Sequence, residues 1–232
     1  MYSAVDFQAF DETSISNLDE KKKVAERLAA SAETGQTIGA GSGSTAYLAV
    51  KAIAARVDAG EIERVTLVPT SHEIEMTIAD LGLPVGDLFC DQPAWLFDGA
   101  DEVDPSGNLI KGRGGALFRE KLLFESTGDR RVLVDASKCV ENLGSKFPVP
   151  VEVVPRALPV VMPELKRLGA TSIEIRRGGG KDGPVITELG NVIADCRFES
   201  IGDDMEAQIK SITGVLESGL FQGYEPTLVT PD

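Results

Sequence analysis

The chain has 232 residues, which is enough for one large domain or two small ones with a hydrophobic core. Its 23 Lys and Arg residues and 37 Asp and Glu residues give a net charge of −14 at pH 7, which argues against nucleic-acid binding. No apolar run approaches the ~20 residues that span a bilayer, and no signal-peptide pattern is visible, so we expect a cytoplasmic protein without membrane contact. The 3 cysteines lack paired spacing, which predicts reduced thiols and no metal site.

The acidic residues are spread along the whole chain and do not form one tail. Two interpretations stay open: an ordinary acidic protein, or adaptation to a salty cytoplasm in which cations screen the carboxylates. In either case, repulsion among the carboxylates opposes folding at low salt.

Strand and helix patterns alternate along the first 145 residues. Strands are predicted at 36–40, 64–69, 95–97 and 131–135. Helices are predicted at 17–34, 45–59, 70–81 and 114–126. This alternation is typical of a parallel sheet in an α/β domain.

The pattern changes after Lys146 to the order β-α-β-β-α-β, which is the ferredoxin-like arrangement. Its elements are predicted at 151–154, 157–168, 172–176, 191–198, 203–212 and 214–221. We therefore predict a Rossmann-like α/β parallel-sheet domain (1–145 and 222–232) with a smaller ferredoxin-like α+β domain (146–221). A short strand in the tail is expected to rejoin the first sheet, and the glycines at 178–183 are interpreted as an exposed hairpin loop.

The first candidate site is the turn at 39–45 (GAGSGST), between a strand and a helix. Its glycines let the backbone approach a ligand, and the N–H groups of the helix start favour an anion. The hydroxyls of Ser42, Ser44 and Thr45 add donors suited to a phosphate. The alternative is that Ser44 or Thr45 only caps the helix. The turn is not a Walker A loop, and its match to the dinucleotide fingerprint is incomplete.

Two further clusters carry titratable groups. The segment 98–102 (DGADE) follows an apolar strand, where open α/β sheets bind ligands; solvated turn acids and a metal site are its alternatives. In the segment 111–121 (KGRGGALFREK), Lys111 is a candidate electrophile and Glu120 a candidate base, with an ordinary surface helix as the alternative. The single histidine, His72, is interpreted as a surface residue at a helix start.

Together these segments resemble ribose-5-phosphate isomerase of the A type. The resemblance covers nearly the whole chain, and its motifs are GSGST (41–45), DGADE (98–102), KGxGG (111–115), REK (119–121), DASK (135–138), KFPVPVEV (146–153) and GNVI (190–193). It implies interconversion of ribose 5-phosphate and ribulose 5-phosphate in the non-oxidative pentose phosphate pathway, with no cofactor and no metal.

The resemblance also implies roles for individual residues. Glu120 matches the general base that moves a proton between C2 and C1 through a cis-enediolate, and Lys111 matches the residue that stabilises the enediolate oxygen. Asp98 and Asp101 match residues that bind hydroxyls and assist ring opening. The implied substrate-binding residues are Ser42, Gly43, Ser44, Thr45, Asp98, Gly99, Ala100, Asp101, Lys111, Gly112, Arg113, Gly114 and Lys138. Lys21 matches a phosphate contact by a looser alignment.

Two departures from the family pattern stand out. Arg113 replaces a glycine of the usual KGGG, which matters if the backbone there requires a positive φ. Residues 188–191 (ELGN) replace the usual Asp-Asn-Gly-Asn, a change expected to affect only the turn of the small domain.

We expect a homodimer or homotetramer that binds a sugar phosphate. Two other function classes stay open. A ligand-sensing domain of a transcription factor would need a helix-turn-helix partner, and a nucleotide-dependent oxidoreductase would need a complete fingerprint.

Overall fold

A computed structural model describes residues 12–180 and 182–231. Its α-helices are α1 (Leu18–Ala29), α2 (Ser44–Asp58), α3 (His72–Asp80), α4 (Leu117–Ser126), α5 (Leu158–Arg167) and α6 (Met205–Lys210). Its strands are β1 (Thr37–Ala40), β2 (Thr66–Pro69), β3 (Trp95–Gly99), β4 (Glu102–Val103), β5 (Leu109–Ile110), β6 (Arg130–Leu133), β7 (Val149–Val153), β8 (Ala170–Ile175), β9 (Val192–Phe198), β10 (Val215–Ser218), β11 (Leu220–Phe221) and β12 (Thr227–Val229).

The described residues divide into two compact units. The first contains the residues up to Gly99 together with Leu122–Ser137 and the tail from Pro226. Its sheet is parallel throughout, in the order β12-β6-β3-β1-β2. The tail strand β12 pairs with β6, which confirms the prediction that it rejoins this sheet.

The strand register of the first unit brings several chain turns to one edge. Ala40 at the end of β1 is level with Pro69 on β2 and with Phe97 on β3. The next residue of each chain segment therefore lies at the carboxyl edge of the sheet, where α/β proteins bind ligands. These neighbouring residues are Gly41, Thr70 and Asp98. The helix α2 behind this edge is rich in alanine and buries Ala46, Ala49 and Ile53 completely, which lets it pack closely.

The second unit contains Ala100–Lys121 and Lys138–Glu225. Its main sheet is antiparallel, in the order β10-β7-β9-β8, with α5 and α6 between its strands in the chain. This is the predicted ferredoxin-like order. The central strand β7 buries every residue, and Val149, Val151 and Val153 lie in the core of this unit.

Three features of the second unit differ from the expectations. The strand predicted at 214–221 is two strands, because Gly219 interrupts it: a Cβ there would lie 2.2 Å from the carbonyl oxygen of Lys111. β10 therefore stays in the main sheet while β11 joins β5 and β4 in a small antiparallel sheet. The β4–β5 hairpin was not predicted, and the compact unit takes in 100–121, which the predicted boundaries assign to the first domain. The domain boundaries stay a prediction.

The segment between β8 and β9 of the main sheet forms a hairpin. Arg177 pairs with Pro184 across the glycines at 178–183, as predicted. The expectation for the ELGN turn was wrong, because Glu188 accepts a hydrogen bond from Arg119 of α4 at 2.6 Å and so acts beyond its own turn. Among the described helices, none is both long enough and apolar enough to cross a membrane.

Candidate active site

The glycine-rich turn after β1 is shaped around Asp98. A Cβ on Gly41 would lie 2.2 Å from the Asp98 carboxyl carbon, so this position requires glycine. The Ser42 amide donates to Asp98 Oδ1 at 3.1 Å. Gly43, with φ +89°, is the N-cap of α2, and it has no side chain to cap with. The interpretation that Ser44 or Thr45 merely caps the helix was therefore wrong.

The hydroxyls of this turn form their own contacts. Ser42 Oγ lies 2.7 Å from Thr70 Oγ1, and Thr70 Oγ1 donates to the Ala40 carbonyl at 3.2 Å. Lys21 Nζ donates to Ser44 Oγ at 3.0 Å. The first amides of a helix have no acceptor within the helix, so the turn offers N–H groups, hydroxyls and one ammonium. This donor set suits an anion.

Asp98 is buried, with 1% of its surface exposed. Its Oδ1 accepts from the amide of Gly99 at 2.7 Å in addition to Ser42. Gly99 and Ala100, which follow it, are half-buried. The buried carboxylate excludes the simple interpretation of a solvated turn acid at this position.

The second unit contains a buried ion pair. Lys111 Nζ lies 3.3 Å from Glu120 Oε2, and their side chains are 2% and 5% exposed. Lys111 follows β5 and donates its amide to the Gly219 carbonyl at 2.8 Å, while Glu120 lies in the first turn of α4. Glu120 is therefore not an ordinary surface residue of its helix. A carboxylate and an ammonium held together away from water are suited to proton transfer beside a developing negative charge.

The neighbours of Glu120 on α4 have structural partners. Arg119 pairs with Glu188, and Lys121 is buried in contact with Glu206 and lies 4.0 Å from the centre of the Phe221 ring. Lys111 Nζ lies 5.6 Å from the centre of the same ring.

The turn after Lys111 is held in one conformation. Gly112 has φ +90°, and a Cβ there would lie 2.7 Å from Leu117 Cβ. The φ of Arg113 lies outside the left-handed region, so the arginine fits without backbone strain. Its amide donates to Asp101 Oδ2 at 3.1 Å. The adjacent Gly114 is exposed.

Two cations of the second unit lie near the ring of Phe147. The Arg113 guanidinium lies 5.7 Å from the centre of the Phe147 ring, and Lys138 Nζ lies 5.6 Å from it. Both distances allow a cation–π contact. The backbone amide of Phe147 in turn donates a hydrogen bond to Glu102.

Glu102, the last carboxylate of the DGADE segment, is fully buried. It accepts hydrogen bonds from the amides of Gly144, Lys146 and Phe147, each at 2.6 Å. Its role is to fix that loop. Within the described residues, no group of three or more His, Cys, Asp and Glu side chains is placed to hold a metal ion.

His72 is exposed at the start of α3, and its Nδ1 lies 3.2 Å from Glu75 Oε2. The N-cap of that helix is Ser71, whose hydroxyl accepts from the Ile74 amide at 3.2 Å. The interpretation of His72 as a surface residue is confirmed.

Comparison with known proteins decides the family. The family model of ribose 5-phosphate isomerase A (phosphoriboisomerase A) matches residues 66–231. The chain belongs to the ribose 5-phosphate isomerase A family. The resemblance stated from the motifs is thereby confirmed.

Relatives in this family are similar over most of the chain. Ribose-5-phosphate isomerase A of Pyrococcus horikoshii is 42% identical, covering 88% of this chain and 91% of its own length. The structure of the family member from Methanocaldococcus jannaschii has a TM-score of 0.87 at 40% identity, covering 93% of this chain and 96% of that one. A D-ribose-5-phosphate isomerase solved in complex with phospho-erythronic acid has a TM-score of 0.88 at 39% identity and covers 93% and 96%.

The expected site residues are thus grouped within each unit. In the first, the 42–45 turn contacts Asp98 and Lys21; in the second, Lys111 contacts Glu120 and Arg113 contacts Asp101. Sequence reasoning missed Thr70, although its place after β2, beside the glycine-rich turn, was a usable signal. It also missed Phe147, whose contacts with Arg113 and Lys138 connect distant parts of the sequence.

Proposed function

We propose that this isomerase interconverts ribose 5-phosphate and ribulose 5-phosphate by proton transfer between the substrate and Glu120, beside the ammonium of Lys111 in the same buried pair. The 3.3 Å separation of Lys111 Nζ and Glu120 Oε2, with both side chains nearly inaccessible to water, is the observation that carries the assignment. Aldose–ketose isomerisation requires a base at carbon, a positive charge beside the forming oxyanion, and a phosphate anchor.

Glu120 removes the proton from C2 of the open-chain aldose. The C2–H electrons form the C1=C2 double bond, and the C1 carbonyl oxygen becomes the negatively charged oxygen of a cis-enediolate. Glu120 then returns the proton to C1, and the proton of the C2 hydroxyl passes to the C1 oxygen, which leaves a C1 hydroxyl and a C2 ketone. The ammonium of Lys111 stabilises the enediolate oxygen, which lowers the barrier because its charge is fixed before the reaction begins.

Asp98 and Asp101 bind substrate hydroxyls and assist ring opening. Each has one oxygen already held by backbone amides: Asp98 Oδ1 by Ser42 and Gly99, and Asp101 Oδ2 by Arg113. Those hydrogen bonds orient the two carboxylates.

The phosphate is bound by Ser42, Gly43, Ser44 and Thr45 with Lys21. Support comes from the N-terminus of α2, from the hydroxyls, and from the Lys21 ammonium 3.0 Å from Ser44 Oγ. The remaining substrate-binding residues are Gly99, Ala100, Gly112, Arg113, Gly114 and Lys138.

The wider setting follows from the family and the acidic composition. The substrate is a sugar phosphate of the non-oxidative pentose phosphate pathway, and the reaction uses no cofactor. We propose a cytoplasmic homodimer or homotetramer that binds neither nucleic acid nor membranes.

The test is an isomerase assay with ribose 5-phosphate in buffer containing a chelator, with phospho-erythronic acid as a competitor. This acid carries a phosphate and a carboxylate, which places negative charge near the position of the enediolate. We expect full turnover without metal, and competitive inhibition. Activity that disappears with the chelator and returns with a divalent ion would contradict the proposed proton transfer.

A further inference from the structure

Arg176 connects the ferredoxin-like sheet to the glycine-rich turn of the same unit. It follows β8, and its Nη1 donates to the carbonyl oxygens of Gly112 at 3.0 Å and Arg113 at 2.8 Å. The other side of its guanidinium pairs with Asp195 of β9: Nε donates to Oδ2 at 2.8 Å and Nη2 to Oδ1. Two carbonyls of the turn are thus held by one planar group.

The guanidinium is itself held in place. Its side chain is 16% exposed and that of Asp195 19%, so the two-pronged pair is largely removed from water. The Arg176 backbone is fixed as well, since its amide donates to Ile193 and its carbonyl accepts from Val185, both at 2.9 Å. Arg176 is therefore a rigid support and not a mobile surface cation.

The geometry of the peptide group transmits this support to the site. In a trans peptide, the C=O and N–H groups point in opposite directions. In the Gly112–Arg113 peptide, the carbonyl accepts a hydrogen bond from Arg176 and the N–H donates one to Asp101 Oδ2 at 3.1 Å. The two side chains therefore hold one peptide plane from opposite sides. The next peptide has its carbonyl on Arg176 as well, which directs the Gly114 N–H away from Arg176.

We propose that Arg176, oriented by Asp195, is a positioning residue of the isomerase reaction. It fixes the two peptide planes after Lys111 so that Asp101 and the Gly114 N–H meet the substrate in one orientation. Its positive charge at the carbonyl ends also strengthens the N–H ends as donors. The proposal rests on the proposed roles of Lys111 and Asp101.

The test compares Arg176→Met, Arg176→Lys and the neighbouring control Arg177→Met. We expect Arg176→Met to lower kcat about tenfold to a hundredfold, because a small displacement of a positioning group has effects of this size. KM for ribose 5-phosphate should stay within about threefold, since the phosphate anchor lies in the 42–45 turn. Arg176→Lys should recover part of kcat because it keeps the charge and one donor nitrogen. Arg177→Met should match the wild type, since Arg177 is exposed.

A kcat of Arg176→Met within twofold of the wild type would overturn the proposal. So would a loss explained by the unfolded fraction at the assay temperature, with Arg176→Lys no better than Arg176→Met. If Arg176→Met does not fold, Asp195→Asn decides, because it keeps the hydrogen bonds from Arg176 to the turn while removing the orienting charge. We expect its kcat to fall severalfold with KM little changed, and a wild-type kcat would refute the proposal. An inactive wild-type protein would instead contradict the proposed function.

Discussion

Replacing Glu120 by Gln is the most direct test of the chemistry, because the amide keeps the size of the side chain and loses its ability to accept a proton. General-base catalysis contributes 10²–10⁴-fold, so kcat should fall by at least about two orders of magnitude, equivalent to roughly 2.7–5.5 kcal/mol of barrier. Binding should survive, since the phosphate is held elsewhere. Exchange of the C2 proton with deuterated solvent should be lost in parallel with turnover.

The same substitution has a second consequence that follows from burial. Lys111 is 2% exposed and lies 3.3 Å from Glu120, so the amide removes a negative charge from beside a buried ammonium. Removing one partner of a buried pair costs roughly 3–5 kcal/mol of stability. The double variant Lys111→Met with Glu120→Gln should recover much of that loss in urea unfolding, because neither side chain of the pair is then charged, while remaining inactive.

A matched control separates these effects from general damage to the helix. Glu125 is an exposed residue of the same helix, and Glu125→Gln should leave kcat and stability unchanged. The reasoning is refuted if Glu120→Gln retains more than a tenth of the wild-type kcat. One of Asp98 or Asp101 would then have to be the base.

Four further predictions concern the turn, the charge and the thiols. Arg113→Gly should change KM for ribose 5-phosphate more than kcat in steady-state assays, because Arg113 is a cation near the same Phe147 ring as Lys138 and not a proton donor to carbon; a collapse of kcat at constant KM would contradict this. The melting temperature should rise between low and molar potassium chloride, because counterions relieve the repulsion of a net charge of −14; a temperature independent of salt would leave the acidity unexplained. Burial raises the pKa of the Cys196 thiol to about 12, so at pH 8 a thiol reagent should label exposed Cys90 and Cys139 while Cys196 reacts only after unfolding. Because the unfolded thiol ionises first, this group should also reduce stability as the pH rises from about 8.5 towards the folded value, which unfolding titrations of Cys196→Ala would test.

Much of the fold was predictable because its determinants are local. The parallel strands of the first unit are short apolar runs, and helices such as α3 have their caps in the adjacent sequence, as Ser71 shows. The split at Gly219 was not predictable. The apolar pattern continues through it, and the reason for the break is a carbonyl of Lys111, more than a hundred residues earlier.

The candidate site divides in the same way. The glycines at 41 and 112 could be singled out from the sequence, and the structure shows that only glycine fits against Asp98 and Leu117 respectively. The roles of Glu102 and Arg176 could not be predicted, because their partners are backbone amides and carbonyls of distant loops. Backbone groups exist at every residue, so the sequence contains no mark of which ones a buried charge will find.

An acidic protein would be expected to repel an anionic substrate. The explanation is that the cations of the proposed site differ in whether a carboxylate balances them. The charge of Lys111 is largely balanced by Glu120, which suits it to an oxyanion that forms only during the reaction and not to a phosphate present throughout. The phosphate is attracted instead by cations that contact a hydroxyl or an aromatic ring. These are Lys21 beside Ser44 in the first unit, and Arg113 and Lys138 near Phe147 in the second. Surface carboxylates farther away than the Debye length, about 8 Å at physiological salt, contribute little to the potential at these groups. Raising salt should therefore stabilise the fold while weakening substrate binding, so that stability and KM respond to the same ions in opposite senses.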